Sequence, residues 1–274
     1  MATGRSAVPR IDTLLFDLDN TLVPERPNYE RAFTDACAEA AARYELDLDR
    51  LREAVFTISD EMWRRSPRFE YCAALGIASP TTLLSEFAEG PPELVGLREW
   101  ARSYRARCWS DALARLGVPR GATGALGREM DDSFRRRMRT ACVGYDDAIV
   151  ALAQLDRGIR LAVVSNGPSD VQDAKLHASG LRDFFAVTVF SGAVGIGKPD
   201  ARIFAIALER IGVGHDAAVF IGDTQERDIA GARNAGLTCV WLNRPGTRLT
   251  REPHPDFEIA TLLELPALVA NLRS

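Results

Sequence analysis

The chain of 274 residues is poor in the groups that build metal fingers and disulfide scaffolds. It has only 3 histidines and 5 cysteines. Cys37, Cys72, Cys108, Cys142 and Cys239 are odd in number, scattered and never in a C-x-x-C pair. A disulfide framework or zinc site is therefore not expected, and buried free thiols are. No run approaches the roughly 18 apolar residues of a membrane-spanning helix, so no membrane association is expected. The opening MATGRSAVPR lacks an apolar core of the secretory type, which points to a cytoplasmic protein. Excess positive charge is also missing: the formal net charge is −4, which gives no footing for nucleic-acid binding. Arg135, Arg136, Arg137 and Arg139 form the one dense basic run, and Asp131 and Asp132 flank it, so a solvated helix face is expected. Lysine is scarcest of the charged residues. Of 34 basic residues only Lys175 and Lys198 are lysines.

What is present suffices for a large core, since 46% of the residues are hydrophobic. At roughly 100–200 residues per domain, the length fits one large or two modest domains. From about Asn28 to Cys142 the apolar spacing is helical, with helices predicted over Tyr29 to Tyr44, Leu48 to Arg65 and Glu93 to Leu116. Breakers separate them at Pro67, at Gly76 with Pro80, at Gly90-Pro91-Pro92 and from Gly117 to Gly121.

The remainder alternates short apolar strands with amphipathic helices. Strands are predicted at Thr13 to Phe16, Arg160 to Val164, Ala186 to Phe190, Ala218 to Ile221 and Cys239 to Leu242. Helices are predicted at Asp147 to Leu155, Ser169 to Ser179, Ala201 to Ile211 and Arg227 to Ala235, with Gly158, Gly180, Gly212 and Gly236 as terminating residues. That alternation predicts an α/β fold, a doubly wound parallel sheet with both faces covered, interrupted after its first strand by a helical bundle. The expected division is a flexible terminus at 1–10, a core of 11–24 plus 143–274, and a helical insert at 25–142.

Ligands of such sheets gather beyond the carboxyl ends of the strands. The strand-following segments are Asp17-Leu18-Asp19-Asn20-Thr21, Ser165-Asn166-Gly167, Gly195 to Asp200 with Lys198 in it, and Gly222-Asp223 to Asp228. Singly each is an ordinary turn. Together they bring four carboxylates, a hydroxyl and an ammonium to one edge. Two carboxylates as close as Asp17 and Asp19 invite a cation or a raised pKa. A compact ammonium such as Lys198 reaches a single buried oxygen where a planar guanidinium does not. Lys175, in mid-helix, is expected to be solvated.

These four segments, Phe-Asp-Leu-Asp-Asn-Thr-Leu at 16–22, Val-Ser-Asn-Gly at 164–167, Lys198-Pro199 and Gly-Asp-x4-Asp at 222–228, resemble the motifs of the haloacid dehalogenase-like hydrolase superfamily, in order and spacing. The insert looks like the helical cap of that superfamily's phosphatases. The Asp-Asn-Thr variant and Trp241-Leu242-Asn243 look closest to its 5′-nucleotidase-like and acylneuraminate-phosphatase-like branch.

The resemblance implies a Mg²⁺-dependent phosphomonoesterase, a monomer or homodimer, acting on a nucleoside monophosphate, sugar phosphate or phosphoglycolate. Asp17 would be the nucleophile and Asp19 the general acid and base. Asp17, Asp223 and the backbone carbonyl of Asp19 would hold the ion, with Asp228 orienting its waters or Lys198. Ser165 and Lys198 would grip the transferring group, and Thr21, Asn166 (through its backbone) and Gly167 would help to bind substrate.

Glu25, Arg26, Arg64, Arg68, Tyr71, Arg102 and Arg105 are candidates to read the leaving group. Trp63, Trp100 and Trp109 are more simply insert-core residues. A 2-haloacid dehalogenase, a phosphohexomutase and a non-catalytic binding module remain as alternatives. A phosphonatase is disfavoured because the stretch between Val23 and Cys142 has no lysine.

Overall fold

A computed structural model describes residues 11–250 and 252–273; the flexible terminus expected at 1–10 lies outside the described residues. Six parallel strands, β1 (Thr13–Phe16), β2 (Arg160–Ser165), β3 (Val187–Phe190), β4 (Ala218–Gly222), β5 (Thr238–Leu242) and β6 (Phe257–Ile259), form one sheet in the order β3-β2-β1-β4-β5-β6. Neighbouring β1 and β2 are separated in sequence by the whole insert yet pair in register, Thr13 opposite Arg160 and Phe16 opposite Val163.

Successive strand residues point to opposite faces. Leu14, Phe16, Val163, Val219, Ile221, Val240 and Leu242 join one apolar cluster, whereas Leu15, Ala162, Val164, Phe220 and Trp241 join another. Both faces are therefore covered, which is why the strands read as continuous apolar runs.

Between β1 and the helix that leads into β2, the described residues form seven helices: α1 (Glu25–Tyr44), α2 (Leu48–Trp63), α3 (Phe69–Ala74), α4 (Ser79–Leu84), α5 (Pro92–Val95), α6 (Arg98–Arg115) and α7 (Arg120–Thr140). Their apolar stripes close over a third cluster that includes Phe33, Val55, Trp63, Tyr104, Trp109 and Phe134. The Asp47 carboxylate caps α2 by accepting from the backbone N–H groups of Asp49 and Arg50. The core helices are α8 (Asp146–Gln154), α9 (Ser169–Ala178), α10 (Ser191–Val194), α11 (Ala201–Ile211), α12 (Ala230–Asn234) and α13 (Leu265–Leu272). Helices α8, α9 and α13 cover one face of the sheet, and α11 and α12 cover the other.

Some local expectations are revised. The helix predicted over Glu93 to Leu116 breaks at Gly96 into α5 and α6. The one predicted from Arg227 opens as a π-helical turn, Gln225–Ile229, before α12. Gly158 does not terminate a helix; its N–H instead donates to the Asp156 side chain in a turn. Strand β6 had no signal in the sequence because three residues are too few to show alternation.

The basic run on α7 is not simply solvated. Arg135 is part-buried, pairing with Glu86 and reaching Asp131 and Asp132 at 3.1 and 2.9 Å. All five cysteines are free and buried.

Candidate active site

The carboxyl ends of β1, β2 and β4 open into a cavity of about 180 Å³. Asp17, Asp19, Ser165, Asn166, Lys198, Asp223 and Asp228 all line it, with Asn20, Glu25, Gly76, Ala78, Thr81, Thr224 and Arg227. Thr21 and Gly167, expected to touch substrate, are not among the lining residues. Thr21 is fully buried, and its hydroxyl has no partner among the described residues. Gly167 (φ 142°) ties its N–H to the Ser191 hydroxyl instead.

Asp17 extends β1 by one residue, its N–H donating to the Ile221 carbonyl. Its carboxylate therefore leaves the sheet edge from rigid backbone. Lys198 Nζ donates to Asp17 Oδ1 at 2.5 Å and to Asp228 Oδ1 at 2.6 Å, all three groups being buried. Asp228 Oδ2 in turn accepts from the backbone N–H and hydroxyl of Thr224 at 2.9 and 2.8 Å. That approach leaves no room for a side chain at 222: a Cβ on Gly222 would sit 2.5 Å from the Asp228 carboxyl carbon. Trp241 Nε1 donates to the Asp223 carbonyl and fixes the loop from the neighbouring strand. The Asn166 side chain ties the loops after β2 and β3 together: its amide donates to the Lys198 carbonyl at 2.9 Å and accepts from the Lys198 N–H at 2.8 Å.

Oxygen atoms of Asp17, Asp223 and Asp228 lie within 4.8 Å of one another. Burial drives the Asp17 carboxyl up to about 7, with Asp228 and Asp19 adding to it and Lys198 opposing it. Burial followed by repulsion from Asp17 and Asp228 takes Asp223 up to about 9. Burial disfavours charge on Lys198, but Asp17 and Asp228 outweigh it and hold the ammonium above the ordinary lysine value. One lysine thus serves two carboxylates and leaves a third, Asp223, in excess. Clustered carboxylate oxygens with space beside them are the donor set of a hard divalent cation.

Asp19 turns the other way. Lys175 Nζ donates to its Oδ1 at 2.7 Å and Gln172 Nε2 to its Oδ2 at 2.8 Å. Lys175 is not solvated but 1% exposed. A mid-helix lysine is usually in water, which is why its burial is not expected from the sequence; the signal for it is Gln172 and Lys175, three residues apart on one face of α9. Arg227, also missed, lines both this cavity and an adjoining one of about 530 Å³ that Phe56, Trp63 and Phe69 help to form.

Of the residues expected to read the leaving group, Glu25 lines the catalytic cavity. Arg26 and Arg64 line the cavities beside it and are exposed, paired with Glu30 and Asp60. The Tyr71 hydroxyl packs near Gly195, at 3.2 Å from where a Cβ would stand. Arg68 is exposed and lines none of these cavities. Arg102 pairs with Glu99 on the surface. Arg105 is buried inside the helical block, donating to the Ser85 carbonyl and pairing with Glu86, because a cation enclosed there must be neutralised locally. The tryptophans are packing residues: Trp109 stacks on Phe33 and donates to Asp131, Trp63 is buried, and Trp100 stacks on Tyr104.

Comparison with known proteins agrees with this geometry. The family model for haloacid dehalogenase-like hydrolases matches residues 11–236. A phosphoserine phosphatase of Thermus thermophilus is 32% identical over 252 residues, 92% of this chain and 96% of that protein. The pyrimidine 5′-nucleotidase YjjG of Escherichia coli is 32% identical over 144 residues, 52% of this chain and 64% of that one. Among solved structures, the HAD-hydrolase YfnB of Bacillus subtilis, bound to magnesium, superposes with TM-score 0.63 at 25% identity, covering 95% of this chain and 99% of that one. A 2-haloacid dehalogenase of Pseudomonas syringae gives 0.61 at 28%, with coverage of 95% and 99%. The chain belongs to the haloacid dehalogenase-like hydrolase family.

Proposed function

We propose that this hydrolase is a phosphomonoesterase acting on a small phosphorylated metabolite through an aspartyl-phosphate on Asp17. The observation that carries the reading is the placing of Asp17, Asp223 and Asp228 oxygens within 4.8 Å of one another, beside the Lys198 ammonium. The clustered carboxylate oxygens fit Mg²⁺, which Asp17, Asp223 and the Asp19 carbonyl would hold, with Asp228 beside them. When bound, the ion neutralises charge between a carboxylate nucleophile and a phosphate dianion.

The chain's own groups do the rest. An Asp17 oxygen attacks phosphorus, the bond from phosphorus to the leaving oxygen breaks, and the carboxyl of Asp19 gives that oxygen its proton. Water then attacks the acyl phosphate, Asp19 takes the water's proton, and inorganic phosphate leaves with Asp17 restored. Lys198 and the Ser165 hydroxyl hold the transferring oxygens, since phosphoryl transfer is mostly positioning and charge stabilisation. The helical block between β1 and β2 serves as a cap that encloses the leaving group, and Glu25 is its first residue at the cavity.

The full-length likeness to a phosphoserine phosphatase supports a metabolite-sized ester. The likeness to a dehalogenase supports the fold and the nucleophile; attack on carbon gives Asp19 and Asp223 no work to do. A phosphate-release screen over phosphoamino acids, nucleoside monophosphates, sugar phosphates and small acid phosphates tests the reading. Turnover of at least one ester is expected, silenced by EDTA and restored by Mg²⁺. Phosphate release indifferent to chelation contradicts the Mg²⁺ assignment, halide release from a 2-haloacid with no ester turned over points to dehalogenation, and conversion between phosphate positions without phosphate release points to a mutase.

A further inference from the structure

Asp19 must be at the leaving oxygen in one half-reaction and at water in the other. Its carboxylate carries two rotatable bonds, and proton transfer needs heavy atoms within about 2.6–3.2 Å of each other. Both of its oxygens are held from behind by α9. Lys175 Nζ takes Oδ1 at 2.7 Å, and Gln172 Nε2 takes Oδ2 at 2.8 Å while also donating to Ser165 Oγ at 2.8 Å. The lysine and glutamine side chains are buried, the Asp19 side chain is 18% exposed, and the cavity lies on its open side. Ser165 Oγ accepts from Gln172, and its own proton makes only a long, 3.5 Å hydrogen bond to the Asn166 carbonyl, which a phosphoryl oxygen can replace. Lys175 also reaches Glu25, the first residue of α1, at 3.3 Å, and lies 5.8 Å from the centre of the Tyr29 ring.

We propose that Lys175 and Gln172 are positioning residues that aim the Asp19 carboxyl at the leaving oxygen, an assignment that rests on the phosphatase reading. Neither touches the reacting atoms. A helix outside the motif loops thus supplies the geometry for proton delivery, and Lys175 links that geometry to the first turn of the helical block.

The test compares kcat/KM for p-nitrophenyl phosphate, whose leaving phenolate needs little protonation, with kcat/KM for an alkyl phosphate, whose alkoxide needs a proton in full. This parameter covers the steps up to alcohol departure, so the later hydrolysis of the acyl phosphate does not blur it. General acids contribute about 10²–10⁴-fold, and Lys175→Met is expected to lose at least about tenfold more on the alkyl ester than on the aryl ester. Lys175→Arg, which keeps a cationic donor, is expected to recover part of that difference. Should Lys175→Met fail to fold, Lys175→Gln, polar but shorter, is read in the same way. Equal losses on the two esters, or none, overturn the assignment and leave the phosphatase reading intact. No turnover by the wild-type protein of these two esters or of any ester in the screen removes that reading and the assignment with it.

Discussion

Lys198 and Lys175, the chain's two lysines, are both buried and both bridge a pair of carboxylates, Asp17 with Asp228 and Asp19 with Glu25. An ammonium can be enclosed in this way because its partners repay the lost hydration at close range. The same arithmetic leaves Asp223 unbalanced. Asp17 and Asp223 ionise in the folded chain at about 7 and about 9, against an ordinary aspartate value of 3.8. The folded state then holds protons that the unfolded chain has released, so the contribution of these two carboxyls to stability is fullest below about pH 4 and is lost as pH rises through these values. Mg²⁺, by taking up the ionised carboxylates, should restore it. Thermal melts with and without Mg²⁺ are expected to show a Tm gain that grows from pH 5 to pH 9; a gain that is flat or shrinks with pH contradicts the metal assignment.

At the scale of elements, strand ends present the motif residues and a few helices hold the loops in place. Helix α9 bears on both parts of the molecule. Its Asp170 accepts from the Ser85 hydroxyl at 2.9 Å and from the Glu86 N–H at 2.6 Å, and its Val171 packs into the core of the helical block. Between α6 and α7, Arg105 lies near Glu86 and Asp131 at 3.3 and 3.7 Å, with its side chain 5% exposed. Arg105→Met takes the most buried cation from Glu86 and Asp131, leaving them to Arg135, to the more distant Arg139 at 3.9 Å from Glu86, and to the Trp109 N–H on Asp131. Breaking a buried pair costs about 3 kcal/mol, and chemical denaturation should show a loss of that order with kcat unchanged. A large change in kcat without loss of stability would return Arg105 to the substrate. The sequence could not make this distinction, because an arginine that reads a substrate and one that neutralises a buried acid have the same helical spacing. The first five strands were legible as continuous apolar runs, and the motif loops because β1, β2 and β4 run into Asp17, Ser165 and Gly222-Asp223. Lys175 was not, because its partners Asp19 and Glu25 stand 156 and 150 residues away.

Across the whole molecule, the sheet order brings the loops after β1, β2 and β4 side by side although the chain visits them at residues 17, 165 and 223. Among the described residues no helix is long and apolar enough to cross a membrane. The doubly wound plan was readable from the alternation of strand and helix, and the helical block from its change of period. Which of the cavities beside the catalytic one receives the leaving group was not, since Arg26, Arg64 and Arg227 reach them from separate helices and loops. The central claim is that Asp17 becomes phosphorylated. Rapid mixing of enzyme, Mg²⁺ and a radiolabelled substrate found in the screen, quenched in acid and mapped by peptide, tests it directly. Label is expected on the peptide bearing Asp17 and absent from Asp17→Asn, which should also release no phosphate. Steady phosphate release with the label never on Asp17, or turnover that survives Asp17→Asn, would contradict the account.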